Sequence, residues 1–279
     1  MLLFIPKGAS KVTKLEVILL RLKDQISIVT GGGKGIGKAI SLAFAKEGAI
    51  VVMAARSLSS MEDTAEEIRS RDGRADAVAT DVRYEDQIKK MVAYTLDKYG
   101  RIDILVNNSG FGGPTTNLVE LSLDEWNDVI AINLTGPMLC SREALKPMIA
   151  ARKGNIINIG SEGGRSGFPM RSPYAVSKRG LIALTETLAI EAGIYGVRVN
   201  CISPGRVKGK RVEDVARDKA KALGLSYGEV MASMTIDVSL ARFVEASEVA
   251  AAAVFLASDE SSGITGETLV VSCGKHMLH

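Results

Sequence analysis

Histidine is nearly absent. The chain of 279 residues has only His276 and His279, both at its C-terminal end, so no interior imidazole can serve as the base of a Ser-His-Asp triad or ligate a metal. Cysteine is also scarce. Cys140, Cys201 and Cys273 lie far apart with no CxxC pair, which excludes a disulfide framework and a Cys/His zinc site and fits free thiols in a reducing, cytoplasmic compartment. No metal is expected. Long apolar runs are missing too, so no helix is expected to span a membrane. Neither sign of charge is in large excess: 35 Lys+Arg against 32 Asp+Glu leave a net charge of +3. The basic residues are interspersed with acids and no aromatic-plus-basic module accompanies them, which argues against nucleic acid as a partner. The composition, 46% apolar and 24% charged with 7 prolines, is that of a globular protein able to bury a substantial core.

Residues 1–24 read as an N-terminal extension, because MLLFIP is too short for a signal-peptide core and no basic region precedes it. From residue 25 to 274 one rhythm repeats, and residues 275–279 form a tail. Short β-branched runs at 26–30, 49–55, 75–80, 102–108, 155–160, 197–203 and 268–272 have the continuous apolar character of strands covered on both faces. Helical stretches separate them at the spacing of βαβ crossovers, which predicts one α/β domain, a doubly wound, Rossmann-type, seven-stranded parallel sheet. A helix over 124–152 opens with the capping-box pattern Ser122-x-x-Glu125. Another, over 174–195, is apolar around much of its circumference, so one face is expected on the sheet and the other in a homo-oligomer, dimer or tetramer. Between 207 and 243 the strand rhythm lapses into a charged insertion with its own capping box, Ser226-x-x-Glu229. It follows the sixth strand at the end where open α/β sheets bind ligands, and is expected to be a substrate lid.

The first strand and first helix are joined by TGGGKGIG, Thr30 to Gly37. Thr30, Gly31, Gly33, Gly35, Ile36 and Gly37 form a turn in which backbone N–H groups can approach a pyrophosphate at a helix N-terminus. Sheets that take NAD usually end the second strand in an acid that holds the adenosine ribose. Here the strand ends Ala54-Ala55-Arg56-Ser57, and Lys34 inside the turn adds a second cation. The pair favours a 2′-phosphate and hence NADP(H). If both are ordinary solvated charges, NAD(H) stays open.

Ser161 ends the segment NIINIGS, and SPYAVSKRG sets Tyr174 four residues before Lys178. Residues four apart on a helix are neighbours. A free phenol titrates near about 10, too high for a proton exchanger at neutral pH, and a nearby ammonium favours the phenolate. Lys178 is spaced to do this for Tyr174. Together these motifs resemble the short-chain dehydrogenase/reductase family over residues 25–274: the glycine turn, Asp81 after the third strand, NNSG at Asn107 to Gly110, Asn133, Ser161, Tyr174-x-x-x-Lys178 and Pro204-Gly205. The resemblance implies the strand order 3-2-1-4-5-6-7. It implies Tyr174 as general acid/base, Ser161 as donor to the substrate carbonyl, Lys178 on the nicotinamide ribose and Asn133 in a proton relay. It adds Asp81, Val82, Asn108, Ser109, Gly110, Pro204, Gly205 and Val207 to the cofactor contacts. Pro137 follows Asn133 by four and has no N–H, so the Asn133 carbonyl loses its usual helical partner.

The function implied is an NADP(H)-dependent reductase of a small-molecule ketone, or dehydrogenase of a secondary alcohol. A 3-oxoacyl-acyl-carrier-protein-reductase-like enzyme is the nearest label, with an NAD(H)-dependent sugar, polyol or cyclic-alcohol dehydrogenase as the alternative and a non-catalytic dinucleotide sensor behind both. Phe111, Phe168, Met170, Arg165, Arg171, Arg206 and the segment 227–234 are candidates for the substrate pocket. The three arginines give anionic substrates a slight edge over neutral ones.

Overall fold

The computed structural model describes residues 20–275. The extension through residue 19 and both histidines lie outside the described residues. The strands are β1 (Ile26–Thr30), β2 (Ile50–Ala55), β3 (Arg74–Ala79), β4 (Ile104–Asn107), β5 (Gly154–Ile159), β6 (Val197–Pro204) and β7 (Thr268–Val271). They form one parallel sheet in the order β3-β2-β1-β4-β5-β6-β7. The order reverses between β1 and β4, which opens a crevice at their C-terminal ends. The five inner strands are almost wholly buried, and the edge strands β3 and β7 are partly exposed.

Side-chain alternation along the strands divides the core into two layers. Val29, Val51, Met53, Ile104, Val106, Ile157 and Ile159 pack with α1 (Gly35–Lys46), α2 (Leu58–Arg69) and α9 (Ala246–Ala257). Ile28, Val52, Leu105 and Ile156 face the other way, onto α3 (Glu85–Tyr99), α5 (Gly136–Ala151) and α6 (Ser172–Gly193). Leu22, expected in the extension, is fully buried in the first layer. Its N–H donates to the Glu47 carbonyl at 3.0 Å, so the folded unit begins before residue 25.

The single helix expected over 124–152 is divided. α4 (Leu123–Ile130) starts at a capping box in which Ser122 and Glu125 satisfy each other's backbone N–H. A π turn over Ala131–Thr135 follows, with the Gly136 N–H reaching back to the Ala131 carbonyl. Pro137 stands just beyond, with no N–H to give the Asn133 carbonyl. α5 then runs to Ala151, and Arg152 leaves it in the left-handed region at φ 51.

The insertion carries α7 (Lys210–Leu223) and α8 (Tyr227–Ser233), the latter begun by the Ser226/Glu229 capping box. Its two ends meet: Val207 bridges Val244, the Lys208 N–H donates to the Val244 carbonyl at 2.8 Å, and the Val244 N–H donates to the Arg206 carbonyl at 3.0 Å. Ala216, Ala220, Val230 and Met234 make a small core of its own.

Candidate active site

The glycine turn is built by close contact. A Cβ on Gly37 would lie 2.1 Å from the Gly31 carbonyl oxygen, and one on Gly33 would lie 2.7 Å from that of Ser60. Gly31 and Gly35 have φ of 66 and 52, conformations glycine adopts without steric cost. A Cβ on Gly35 would instead meet nothing within 4 Å. The turn is therefore packed on three of these glycines and open at the one that begins α1. No acid occupies the first turn of α1 and no side chain caps it, so its N–H groups face that opening, the environment a pyrophosphate fits. Ile36 is half-buried behind them.

Thr30 fastens this turn to the end of β4. Its Oγ1 accepts from the Asn108 and Ser109 N–H groups, both at 3.0 Å, while Asn108 Nδ2 donates to the Thr30 carbonyl at 2.9 Å. Beyond the end of β2, Arg56 and Lys34 are both exposed. Among the described residues, neither takes part in a salt bridge. Asp81 follows β3 and is held by Arg83 through Nε, 3.1 Å from each carboxylate oxygen, and Nη2 at 2.7 Å. The Arg83 hydrogen bonds hold the Asp81 carboxyl below the usual carboxylate range, and the nearby charge of Arg56 acts in the same direction. Arg83 was not foreseen, although an arginine two residues after a site acid is a readable signal. Val82 is buried, and a Cβ on Gly136 would lie 2.9 Å from its Cγ2.

Across the crevice, Asn133 is fully buried at the π turn. Its Oδ1 accepts from the Phe111 N–H at 2.7 Å, and its Nδ2 donates to the Phe111 carbonyl at 2.8 Å and to Ser177 Oγ at 3.2 Å. Ser177 Oγ in turn donates to the Tyr174 carbonyl at 2.8 Å. Asn133 thus ties the loop after NNSG to α6, a positioning role read only from the structure. A Cβ on Gly110 would lie 3.5 Å from Asn133 Oδ1 and 3.7 Å from Lys178 Nζ, which brings these three together.

Lys178 is buried, and its Nζ donates to the Ile159 carbonyl at 2.7 Å while standing 6.0 Å from the Tyr174 ring centroid. Ser161 is extended at φ −169, and its Oγ accepts from the Gly163 N–H at 3.1 Å. A Cβ on Gly163 would lie 3.5 Å from Tyr174 Cε1, so the turn that carries Ser161 abuts the tyrosine ring. Beneath them lies a buried chain of polar groups: Asn107 Nδ2 donates to Asn158 Oδ1 at 2.9 Å, and Asn158 Nδ2 to Thr185 Oγ1 at 2.9 Å. At the end of β6, Pro204 is buried, and the Gly205 N–H just beyond donates to the Val271 carbonyl at 2.9 Å. Val207 then begins the insertion.

The three arginines part company. Arg206 donates to the Met234 carbonyl and to Asp237 Oδ1, the latter at 3.0 Å, and so braces the insertion. Arg165 lines a separate cleft with Arg179, Glu186 and Glu267. Arg171 has its guanidinium against the tyrosine, 6.0 Å from the Tyr174 centroid. Among the described residues no cluster of His, Cys, Asp and Glu could hold a metal ion, and no helix is long and apolar enough to cross a membrane. Burial pushes the Cys140 thiol up to about 12 and that of Cys201 up to about 11, so both stay protonated and inert.

This arrangement can be compared with known proteins. A family model described as enoyl-(acyl carrier protein) reductase matches residues 31–276. The chain belongs to the short-chain dehydrogenase/reductase family. These enzymes are oxidoreductases of alcohol and ketone groups, and this member is 36% identical over 255 residues to the 3-oxoacyl-acyl-carrier-protein reductase FabG of Thermotoga maritima, covering 91% of this chain and 99% of the relative. Its fold superimposes on an actinorhodin polyketide ketoreductase crystallised with NADPH at a TM-score of 0.87, with 32% identity over 91% of this chain and 97% of the other. An NAD+-bound xylitol dehydrogenase gives a TM-score of 0.86 and 30% identity, over 90% of this short-chain dehydrogenase/reductase and 98% of the other chain.

Proposed function

We propose that the protein is an NADP(H)-dependent oxidoreductase that interconverts a ketone and a secondary alcohol, with Tyr174 as its general acid and base. The observation that carries this reading is the meeting of Ser161, Tyr174, Lys178 and Asn133 at the C-terminal edge of the sheet, beside a glycine turn fit for a dinucleotide. Gly31 to Gly37 would hold the pyrophosphate, Asp81, Val82, Asn108, Ser109 and Gly110 would line the adenosine side, and Lys178, Pro204, Gly205 and Val207 would hold the nicotinamide end. When bound, the cofactor supplies or accepts the hydride at the substrate carbon.

The remaining chemistry belongs to the chain. Ser161 Oγ accepts from the Gly163 N–H, which leaves its own hydrogen to donate to the substrate oxygen. In reduction, Tyr174 gives its phenolic proton to that oxygen as the carbonyl carbon gains hydride, so the ketone becomes an alcohol. The buried Lys178 ammonium stabilises the phenolate left behind. Lys178 and the Asn133 carbonyl return a proton to it from solvent. The insertion at 207–243 serves as a lid that excludes water.

NADPH in preference to NADH is supported by exposed Lys34 and Arg56 at the adenosine end, neither of them in a salt bridge with an acid among the described residues. The related structures divide between NADPH and NAD+, so the test begins there. Titration of bound-nicotinamide fluorescence is expected to give tighter NADPH than NADH, and Arg56→Asp is expected to level or reverse the order. Preference of the wild type for NADH would overturn the phosphate reading. Tyr174→Phe is expected to keep NADPH binding and to lose about 10²–10⁴-fold in kcat on ketones; full activity in that variant would remove Tyr174 from the mechanism. Assembly as a dimer or tetramer through α6 belongs to the same reading, supported by Ile190, 80% exposed on that helix, and Ile194, 71% exposed at its C-cap. A single-chain mass by sedimentation would exclude it.

A further inference from the structure

The turn that carries Ser161 brings a second polar side chain with it. Glu162 follows the serine and begins the short 3-10 turn Glu162–Gly164, which Ser161 caps through the bond that its Oγ accepts from the Gly163 N–H. The other two residues of the turn lie against the catalytic helix and its approach. A Cβ on Gly163 would come 2.9 Å from Phe168 Cδ1, and one on Gly164 would come 2.7 Å from the Lys178 carbonyl carbon. Neither position has room for a side chain, so within the turn Glu162 alone supplies one. The cations whose charge acts on its carboxyl are Arg206 and Lys275, which places that carboxyl toward the end of β6 and the base of the insertion. This is the side of the crevice where Pro204, Gly205 and Val207 would hold the nicotinamide end.

The carboxyl is poorly served there. Its Oε2 is buried and has no hydrogen-bond partner. Both nearby cations are bonded to a different acid: Arg206 Nη1 donates to Asp237 Oδ1 at 3.0 Å and to the Met234 carbonyl, and Lys275 Nζ pairs with Asp237 Oδ2. Leaving a buried acceptor without a donor costs free energy, and native folds seldom keep such a group without a use for it. A donor that arrives with the substrate supplies the use. Arg206 and Lys275 already offset the carboxylate charge, so an ammonium gains little there, whereas a neutral hydroxyl needs only the bare lone pair.

We propose that Glu162 is a specificity-determining residue whose Oε2 accepts a hydrogen bond from a substrate hydroxyl, and that the substrates are hydroxy ketones and the diols formed from them, with the hydroxyl one or two carbons from the reacting carbonyl. The spacing follows from the turn. Ser161 and Glu162 are consecutive, with Cα atoms about 3.8 Å apart, so while Ser161 Oγ donates to the reacting oxygen, Glu162 meets a group close to it on the same molecule. An alkyl group in that place leaves Oε2 bare, and a site built for a hydroxyl discriminates against it for that reason. The same need accounts for an acid at a position where it burdens the free fold. The inference rests on the ketone-reductase reading above and names its substrate class.

The test uses full-length protein and NADPH with ketones matched in shape: 3-hydroxybutan-2-one against 3-methylbutan-2-one, and 1,3-dihydroxypropan-2-one against pentan-3-one. The wild type is expected to favour the hydroxy ketone of each pair by about tenfold or more in kcat/KM. Glu162→Met removes the acceptor and is expected to lower that ratio about ten- to a hundredfold, the range for a hydrogen bond to a charged group. Glu162→Gln keeps a neutral acceptor, and its ratio should fall between the two, because the bond to a charged oxygen is roughly twice as strong. A wild type with no preference for the hydroxy ketones would overturn the proposal. So would a ratio that Glu162→Met leaves unchanged while both ketones slow equally, since Glu162 would then only shape the turn. If Glu162→Met does not fold, a ratio unchanged in Glu162→Gln overturns the proposal in its place. No reduction of any of the ketones by a wild type that binds NADPH would sink the ketone reading itself, an outcome distinct from a missing hydroxyl preference.

Discussion

Glu162, next to Ser161, is a carboxylate in an unfavourable place. Its Oε2 is buried with no hydrogen-bond partner, and burial pushes its carboxyl above the usual range even though Arg206 and Lys275 act against that shift. Both cations are instead bonded to Asp237. An acid whose pKa is raised on folding binds its proton more tightly in the folded chain than in the unfolded one. Stability is then greatest below the unfolded value, near pH ~4.3, and declines as pH rises from there through the folded value. At neutral pH the fold bears the cost of an ionised, incompletely bonded group. Glu162→Gln removes that cost, and the variant is expected to melt above the wild type at pH 7. The gain should be on the order of 1 kcal/mol, or about 2–4 °C, and should vanish by about pH 4, where the wild-type carboxyl is protonated. Melting curves at the two pH values decide. A variant that melts lower at pH 7 would show that attraction to Arg206 and Lys275 outweighs the cost of burying the charge.

At the level of the elements, the inner strands were legible because burial on both faces leaves a continuous β-branched run, a pattern that needs no tertiary information. The capping boxes at Ser122 and Ser226 were legible for a similar reason: their partners are three residues apart. The division of 124–152 into α4, a π turn and α5 was not. Apolar periodicity reports which face is buried and cannot register a single widened turn, although Pro137 marked the place where an α-helical bond is missing. The motif residues of the candidate site were readable as a set, and the structure brings Gly110, Asn133, Ser161, Tyr174 and Lys178 into one crevice. What holds them there was hidden, because the contacts cross long stretches of chain: Asn133 grips the Phe111 backbone, and Thr30 grips the N–H groups of Asn108 and Ser109. The three arginines were equivalent in sequence. Only the fold separates Arg171, beside Tyr174, from Arg165 in another cleft and Arg206, bonded to Asp237 of the insertion.

At the scale of the whole molecule, stability is unevenly shared. Two extensive apolar layers clamp the sheet, whereas α7 and α8 rest on a small third cluster of Ala216, Ala220, Val230 and Met234. The insertion returns to its starting point at the Val207–Val244 bridge and is held to the body near there by Arg206 and Lys275 on Asp237. A segment joined at its base and supported by few buried groups opens at lower free energy than the sheet, and such segments are the ones that move over ligands. Exposed Leu223, Leu225 and Ile236 on the insertion give it apolar surface to close with. In native-state hydrogen exchange, the amides of α7 and α8 are expected to exchange on the order of a hundredfold faster than those of β1, β4 and β5, a difference of about 2–3 kcal/mol in opening. Adding NADPH together with a ketone that turns over slowly should protect α7 and α8 more than NADPH alone does. Equal protection of the insertion and the sheet in the free protein would mean that 207–243 is a fixed wall. Protection complete with NADPH alone would mean that it closes on the cofactor, and the substrate would then have no part in the closure.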